Sequence, residues 1–441
     1  MAVSPEVLGL WLLVALFVLL LAGFPIAFTL LFVALVAGYL GVGTDAFGLM
    51  IVQFQSTMEA STLAAVPLFV FMGLILERAG LMERLFGAFR LMFAPLRGSL
   101  YLAVLATATI FAMATGIVGA SVTVIGLMAG RVMQKSGYDP RLSAGAIAAG
   151  GTLGILIPPS VMLIVMGPVL RVSILELFAA AVLPGFLLAG LFLVYCLVRS
   201  HFQPHLGPPL PHAERAPSVG YIVKEFAQGV LPLVVIIAAT LGSILAGLAT
   251  PTEAAGVGAF GSFCLTLAYR RMDWRKFKAA MLQTLETSSV VLFLIAASNY
   301  FGAVFSILQT PFMITDALLG LGVPPTVLLL LLLALIFFLG WPLDWAPIVL
   351  IFLPVMLPVI AQLDVNMVWF GALVAVCLQT AWLSPPVALA AYFLKGVMPE
   401  WELKDIYIGM LQFLGLQLVG LMLVFFFPQI ALWLPGVLLG R

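Results

Sequence analysis

Apolar runs about as long as a bilayer is thick recur from one end of this chain to the other. A spanning helix needs about 20 such residues, and most polar stretches between the runs are too short to fold alone. Of 441 residues, 64% are hydrophobic and 8% are charged; a soluble globular protein has roughly 25% charged residues. The chain is therefore expected to be an all-α polytopic membrane protein in a lipid bilayer. Its net charge of +1 gives no electrostatic footprint for nucleic acid. No removable leader is expected, because the first apolar run lacks a basic flank and a small-residue cleavage site.

Candidate crossings are 5–23, 25–42, 62–80, 141–170, 177–198, 229–247, 254–270, 286–308, 367–396 and 406–428, with longer apolar stretches at 99–131 and 325–357. Shorter amphipathic pieces near 45–60, 83–93 and 273–284 suit the interface. The one long polar connection, beginning at Arg199, holds His201, His205 and His212; a solvated loop is the plainer reading of these than a metal site. Cys196, Cys264 and Cys377 each lie in an apolar run and read as small buried hydrophobes.

The two halves resemble each other. "IPPSVMLIVMG" from Ile157 matches "SPPVALAAYFLKG" from Ser384, and "TGIVGASVTVIG" from Thr115 falls opposite "LGWPLDWAPIVL" from Leu339, about 225 residues later in each case. Short cytoplasmic loops are enriched in Lys and Arg. The segments 83–97 and 131–141, with Arg84, Arg90, Arg97, Arg131, Lys135 and Arg141, both read as inside. The stretch between them must leave and return on one side, and its middle, "ATGIVGAS", favours a hairpin tip within the membrane. The flanks of 325–357 carry only Asp316 and Asp364 and read as outside, so this hairpin enters from the opposite face.

Two similar halves of opposite orientation are the mark of inverted-topology repeats. Residues 1–198 form the first, with a re-entrant hairpin at 99–131 and a broken helix at 141–170. Residues 199–228 are a cytoplasmic connection. Residues 229–441 form the second repeat, with a hairpin at 325–357 and a broken helix at 367–396. Both termini are expected outside.

Pro158–Pro159 and Pro385–Pro386 interrupt a crossing about halfway along. A broken helix exposes carbonyl oxygens and N–H groups, which a membrane tolerates only where protein or a polar cavity satisfies them. Bare carbonyls suit cations; hydroxyls at Ser160, Thr380 and Ser384 add oxygen. Thr115, Gly116, Ser121 and Thr123 at the first tip, and Gly340 and Asp344 at the second, complete the set. Asp344, an acid in an apolar stretch, is either functional or satisfied by water or a nearby backbone N–H. Thr252 reads as an N-cap with Glu253 in the first turn. There is no Walker loop for ATP, and no second acid or His beside Asp344 for catalysis.

"GYDPRLSAGAIAAGGTLGILIPPSVMLIVMG" from Gly137, "TPTEAAGVGA" from Thr250 and "LQTAWLSPPVALAAYFLKGV" from Leu378 resemble the large membrane subunit of tripartite ATP-independent periplasmic (TRAP) transporters, with a lean toward the mannitol/chloroaromatic- or dicarboxylate-like branch. The resemblance implies a bacterial inner-membrane elevator carrier, in which hairpins and broken helices carry solute past a scaffold. It implies symport with Na+, two ions or more, and no ATP or organic cofactor. A periplasmic binding protein would deliver an organic anion, a carboxylate or sulfonate, and a small membrane subunit of about four helices would join the scaffold. One cation site would use Thr115, Gly116, Gly154, Ile157 and Pro159. The other would use Gly340 with Gln379, Thr380, Ser384 and Pro385. Gly119, Ser121, Thr123, Pro158, Ser160, Asp344 and Pro386 would face the solute. The chain departs from the family at its first tip: where many members carry Ser-Gly-Ser-Ser, it has "TGIV", with Ile117 and Val118 in place of two hydroxyls. Rival readings are a standalone carrier of the citrate and dicarboxylate type, and a membrane-embedded enzyme or scaffold with Asp344 as its lone acid.

Overall fold

The structure, a computed structural model, describes residues 4–116, 118–211 and 214–440, with the side chain of Thr115 outside that description. Ile117 and His212 are likewise outside it. The described residues are helical almost throughout. The first half runs α1 Pro5–Leu21, α2 Ile26–Val42, α3 Asp45–Glu59, α4 Ala65–Arg78, α5 Leu81–Phe93, α6 Ser99–Thr115 and α7 Val118–Ile125, then α8 Pro140–Thr152, α9 Val161–Leu170 and α10 Ile174–Phe202. The second half runs α11 Val219–Leu245, α12 Pro251–Ala268, α13 Trp274–Ile307, α14 Thr310–Leu319, α15 Pro325–Leu339 and α16 Trp345–Gln362, then α17 Met367–Thr380, α18 Leu389–Val397, α19 Leu403–Phe426 and α20 Gln429–Leu439. Among them, 61–78, α10, α11, α13, α16 and α19 are long and apolar enough to cross a membrane.

Local chemistry sets the boundaries. Asp139 starts α8 by accepting the Leu142 N–H at 2.8 Å, with Pro140 in the first turn, where its missing donor costs nothing. Asn366 starts α17 in the same way, accepting from the N–H groups of Val368 and Trp369. Thr250, not Thr252, caps α12: its hydroxyl accepts the Glu253 N–H while the Glu253 carboxylate accepts the Thr250 N–H, a reciprocal capping box. The Thr252 hydroxyl instead donates to Ser61 O. The spacing rule explains the correction, because the acid belongs three residues after the cap.

Three further expectations change. The amphipathic piece at 273–284 and the crossing at 286–308 are one helix of 34 residues, α13; Thr284 donates back to Ala280 O, so the polar step does not break it. The connection 199–228 is partly helical and is tied to the foot of the first hairpin. Gly98 N–H donates to Gly207 O, Asp139 N–H and the Tyr101 hydroxyl to Leu206 O, and Arg90 pairs with Glu214. His201 and His205 on it are exposed. Cys196 and Cys377 are buried, but Cys264 is exposed on α12.

Helices of the two halves pack against one another in exchanged pairs: α4 on α12, α13 on α2, α8 on α19 and α17 on α10. Glycine permits the closest of these. A Cβ at Gly409 on α19 would stand 1.9 Å from Arg141 O, so only Gly lets the two backbones meet. Arg141 and Asp405 pair at 2.7 Å at that end of the contact.

Candidate functional site

The first break is built on small residues. α8 ends at Thr152, a short 3-10 turn covers Leu153–Ile155, and α9 resumes at Val161. Residues 151–167 are buried without exception. Three glycines admit three parts of the first hairpin. A Cβ at Gly150 would lie 2.9 Å from Ala108 on α6, and one at Gly151 would lie 2.4 Å from Val122 on α7. Gly154 meets the tip itself, within 3.8 Å of Gly116. Gly116 adopts φ +61°, where a side chain is strained. The point where its Cβ would stand is 3.5 Å from Pro159 O, 3.9 Å from Gly154 O and 3.7 Å from Val161 N. The hairpin tip and the broken helix thus bring main-chain oxygens together in a buried place. Hard cations take such oxygen donors.

Other residues named from the sequence sit differently. Ile157 turns its side chain onto α10, where a Cβ at Gly185 would be 2.5 Å away. Gly119 faces the second half instead of the first break, packed beneath the Phe393 ring. Ser121 is buried and Thr123 donates to Gly119 O at 2.7 Å. Ser160 caps α9, and its hydroxyl donates to Ile155 O at 2.5 Å. Pro158 is buried, and it joins Pro159 through a cis bond, as Pro385 joins Pro386.

The second break is more open. α17 ends at Thr380 and α18 begins at Leu389. Thr380 donates to Cys377 O at 2.5 Å and Ser384 to Thr380 O at 2.7 Å, so both hydroxyls lie folded onto the break, with lone pairs left to accept. Pro385 is half-buried, while Pro386 is exposed and its carbonyl accepts from the Tyr407 hydroxyl at 3.2 Å. Gly340, at the tip of the second hairpin, lies against Ala381. Between tip and break is a cavity of about 240 Å³ lined by Trp341, Leu343, Asp344, Trp382 and Leu389, among others. Asp344 Oδ1 accepts the Trp345 N–H at 2.7 Å and so caps α16.

One polar cluster escaped the sequence reading. Gln379 Nε2 donates to Thr152 Oγ1 at 3.1 Å, and Gln417 Nε2 donates to the same oxygen at 3.3 Å. All three residues are fully buried. Gln379 therefore reaches across to the end of α8 instead of serving the second break alone. The side-chain oxygens of Gln379 and Gln417 have no partner among the described residues. The missed signal was Gln417 itself, an amide in the middle of an apolar crossing.

An all-helical fold of hairpins and interrupted helices, with six spans long and apolar enough to cross a bilayer among the described residues, is that of a multi-pass membrane protein. The chain is similar in fold to the Alcanivorax borkumensis YdaH transporter, with a TM-score of 0.66, 17% identity, and coverage of 96% of this chain and 98% of that one. From residue 13 to residue 430 it matches the family described as "Tripartite ATP-independent periplasmic transporter, DctM component", and it belongs to that family of permeases, which are not enzymes. It is 30% identical over 429 residues to the sialic acid TRAP transporter large permease protein SiaM of Vibrio cholerae, covering 96% of this chain and 97% of SiaM. It is 29% identical over 395 residues to the C4-dicarboxylate TRAP transporter large permease protein DctM of Pseudomonas aeruginosa, covering 89% and 90%.

Proposed function

We propose that this chain is the large permease subunit of a Na+-coupled secondary transporter that imports a small organic anion across the bacterial inner membrane by an elevator motion. A periplasmic binding protein delivers the anion, and a small membrane subunit of about four helices holds the scaffold. The relatives named for sialic acid and C4-dicarboxylates support an organic anion as the solute class. The exchanged helix pairs and the matched helix starts at Asp139 and Asn366 support two repeats, 1–198 and 229–441 joined by 199–228; the Lys- and Arg-rich segments taken as cytoplasmic make the repeats inverted and both termini periplasmic in this reading. Each repeat contributes a hairpin and a broken helix to the moving part.

In this reading the carbonyls of Gly154 and Pro159, closed over by Thr115 and Gly116, take one Na+. The turn at 380–385 with Gly340 takes another, through carbonyls and the Thr380 and Ser384 oxygens. The solute lies between the two tips, against Ser160, Pro386 and the cavity at Asp344. Binding of Na+ favours the docked tips because the ion supplies what the exposed carbonyls lack. One observation carries the proposal: Gly116, at φ +61°, brings the tip against the break, where a Cβ added to it would stand 3.5 Å from Pro159 O and 3.9 Å from Gly154 O. The test is uptake into proteoliposomes carrying the two membrane subunits, with the binding protein added outside. Replacing external Na+ by choline abolishes uptake. Full-rate uptake driven by a proton gradient alone would overturn the ion assignment.

A further inference from the structure

The cavity at the second hairpin tip has a chemistry that narrows the solute class; the argument rests on the transport reading above. Of its lining residues, Trp341, Trp382, Leu343, Val387, Leu389 and Pro342 present apolar surface. Asp344 is the only charged residue on its wall, and no Lys, Arg or His lines it. The Trp382 ring stacks on Phe393, with centroids 6.4 Å apart and planes 26° from parallel. Phe393 in turn covers Gly119 of the first hairpin, where a Cβ would lie 2.9 Å from the ring. An aromatic wall therefore runs from the cavity to the first hairpin. On that hairpin Val118 is buried apolar surface. The indole N–H of Trp341 is buried with no acceptor among the described residues.

These features suit a planar apolar body better than a second carboxylate. A cavity of about 150 Å³ is enough for benzene, so about 240 Å³ holds a ring with a short arm. Aromatic side chains favour stacked or edge contacts with such a ring. A dianion would instead place a second carboxylate beside Asp344, and no Lys, Arg or His among the lining residues offsets the repulsion between like charges. One carboxylate can lie at the mouth, toward the first tip and its ion. We propose that the cavity formed by Trp341, Asp344 and Trp382 binds the ring of an arylalkyl monocarboxylate, and that Asp344 excludes dicarboxylates.

The experiment uses the full chain in nanodiscs and radiolabelled phenylacetate or succinate, in NaCl or in choline chloride. Phenylacetate is held about tenfold tighter than succinate, and only with Na+. Trp382→Ala lowers phenylacetate affinity about tenfold, and Trp382→Phe, which keeps a ring and guards against misfolding, restores most of it. Asp344→Asn narrows the roughly tenfold gap between the two solutes by raising succinate affinity. Succinate bound as well as phenylacetate by the wild type, no binding of either, or indifference to Trp382→Ala overturns the assignment. Na+-dependent binding of succinate alone sinks the ring pocket while leaving Na+ coupling intact. Phenylacetate bound equally well in choline does the reverse.

Discussion

The two breaks carry the same punctuation and different surroundings. At the first, everything from 151 to 167 is buried, and Gly150, Gly151 and Gly154 let the hairpin close against the break. At the second, Pro386 and Val387 are exposed, and a cavity walled by tryptophan opens beside the tip. A double proline in a crossing creates free carbonyls in both places, but what encloses them decides what they bind. A closed shell of backbone oxygen suits a small dehydrated ion, whereas an open pocket of side chains suits a solute. On the proposed duplication, one motif is present twice and the residues around each copy set what it binds.

The largest effect should come from the closed site. Gly116→Val places a β-branched residue at φ +61°, with its Cβ 3.5 Å from Pro159 O. The backbone conformation alone costs about 1–2 kcal/mol, and the branch adds crowding. Na+-driven uptake is expected to fall on the order of a hundredfold or more. Gly340→Ala is the matching change at the open site. Gly340 has an ordinary helical φ of −64°, and its new Cβ would stand 2.8 Å from the Ala381 Cβ and 3.2 Å from Phe337 O. Its loss should be on the order of tenfold. Initial rates for both variants against Na+ concentration check the order. Equal losses would erase the distinction between the sites.

The two serines sharpen the contrast at smaller scale. Ser160 holds Ile155 O and also caps α9, while Ser384 holds Thr380 O alone. Ser160→Ala therefore gives up two interactions and should raise the Na+ concentration for half-maximal uptake about tenfold. Ser384→Ala gives up one and should raise it about threefold. A reversed order would mean that the second break binds the tighter ion.

Much of this was legible because the signals are local. Pro158–Pro159 and Pro385–Pro386 announce a broken helix wherever they fall in an apolar run, and Gly116 announces a tip. The sequence could not show which partner each residue meets across the fold. Gly119 lies near Gly116 in the chain, yet it packs under Phe393 of the other half. Thr152, Gln379 and Gln417 stand far apart in sequence and converge only because α8, α17 and α19 pack together. Reading the cap at Thr252 misses Thr250 by two residues for a plainer reason. Both Thr250 and Thr252 are good caps, and only the reciprocal bond to Glu253 selects between them.

Gln417 gives the smallest expected effect and the finest comparison, since it touches the end of the first broken helix from outside both breaks. Gln417→Leu removes its hydrogen bond to Thr152, worth about 1 kcal/mol. It also removes a buried oxygen that has no partner among the described residues, and an unpaired buried acceptor costs about 1–3 kcal/mol. The two terms oppose each other, so stability in choline should change by no more than about 2 kcal/mol, in the stabilising direction if at all. The rise in unfolding temperature on adding Na+ should persist, because the closed site at Gly116 is untouched. Thermal unfolding of the variant with and without Na+ measures both quantities. A lost Na+ response would mean that the Gln417 oxygen ligates an ion. The first break would then depend on side chains as the second does, and the difference between a backbone site and a side-chain site would no longer hold.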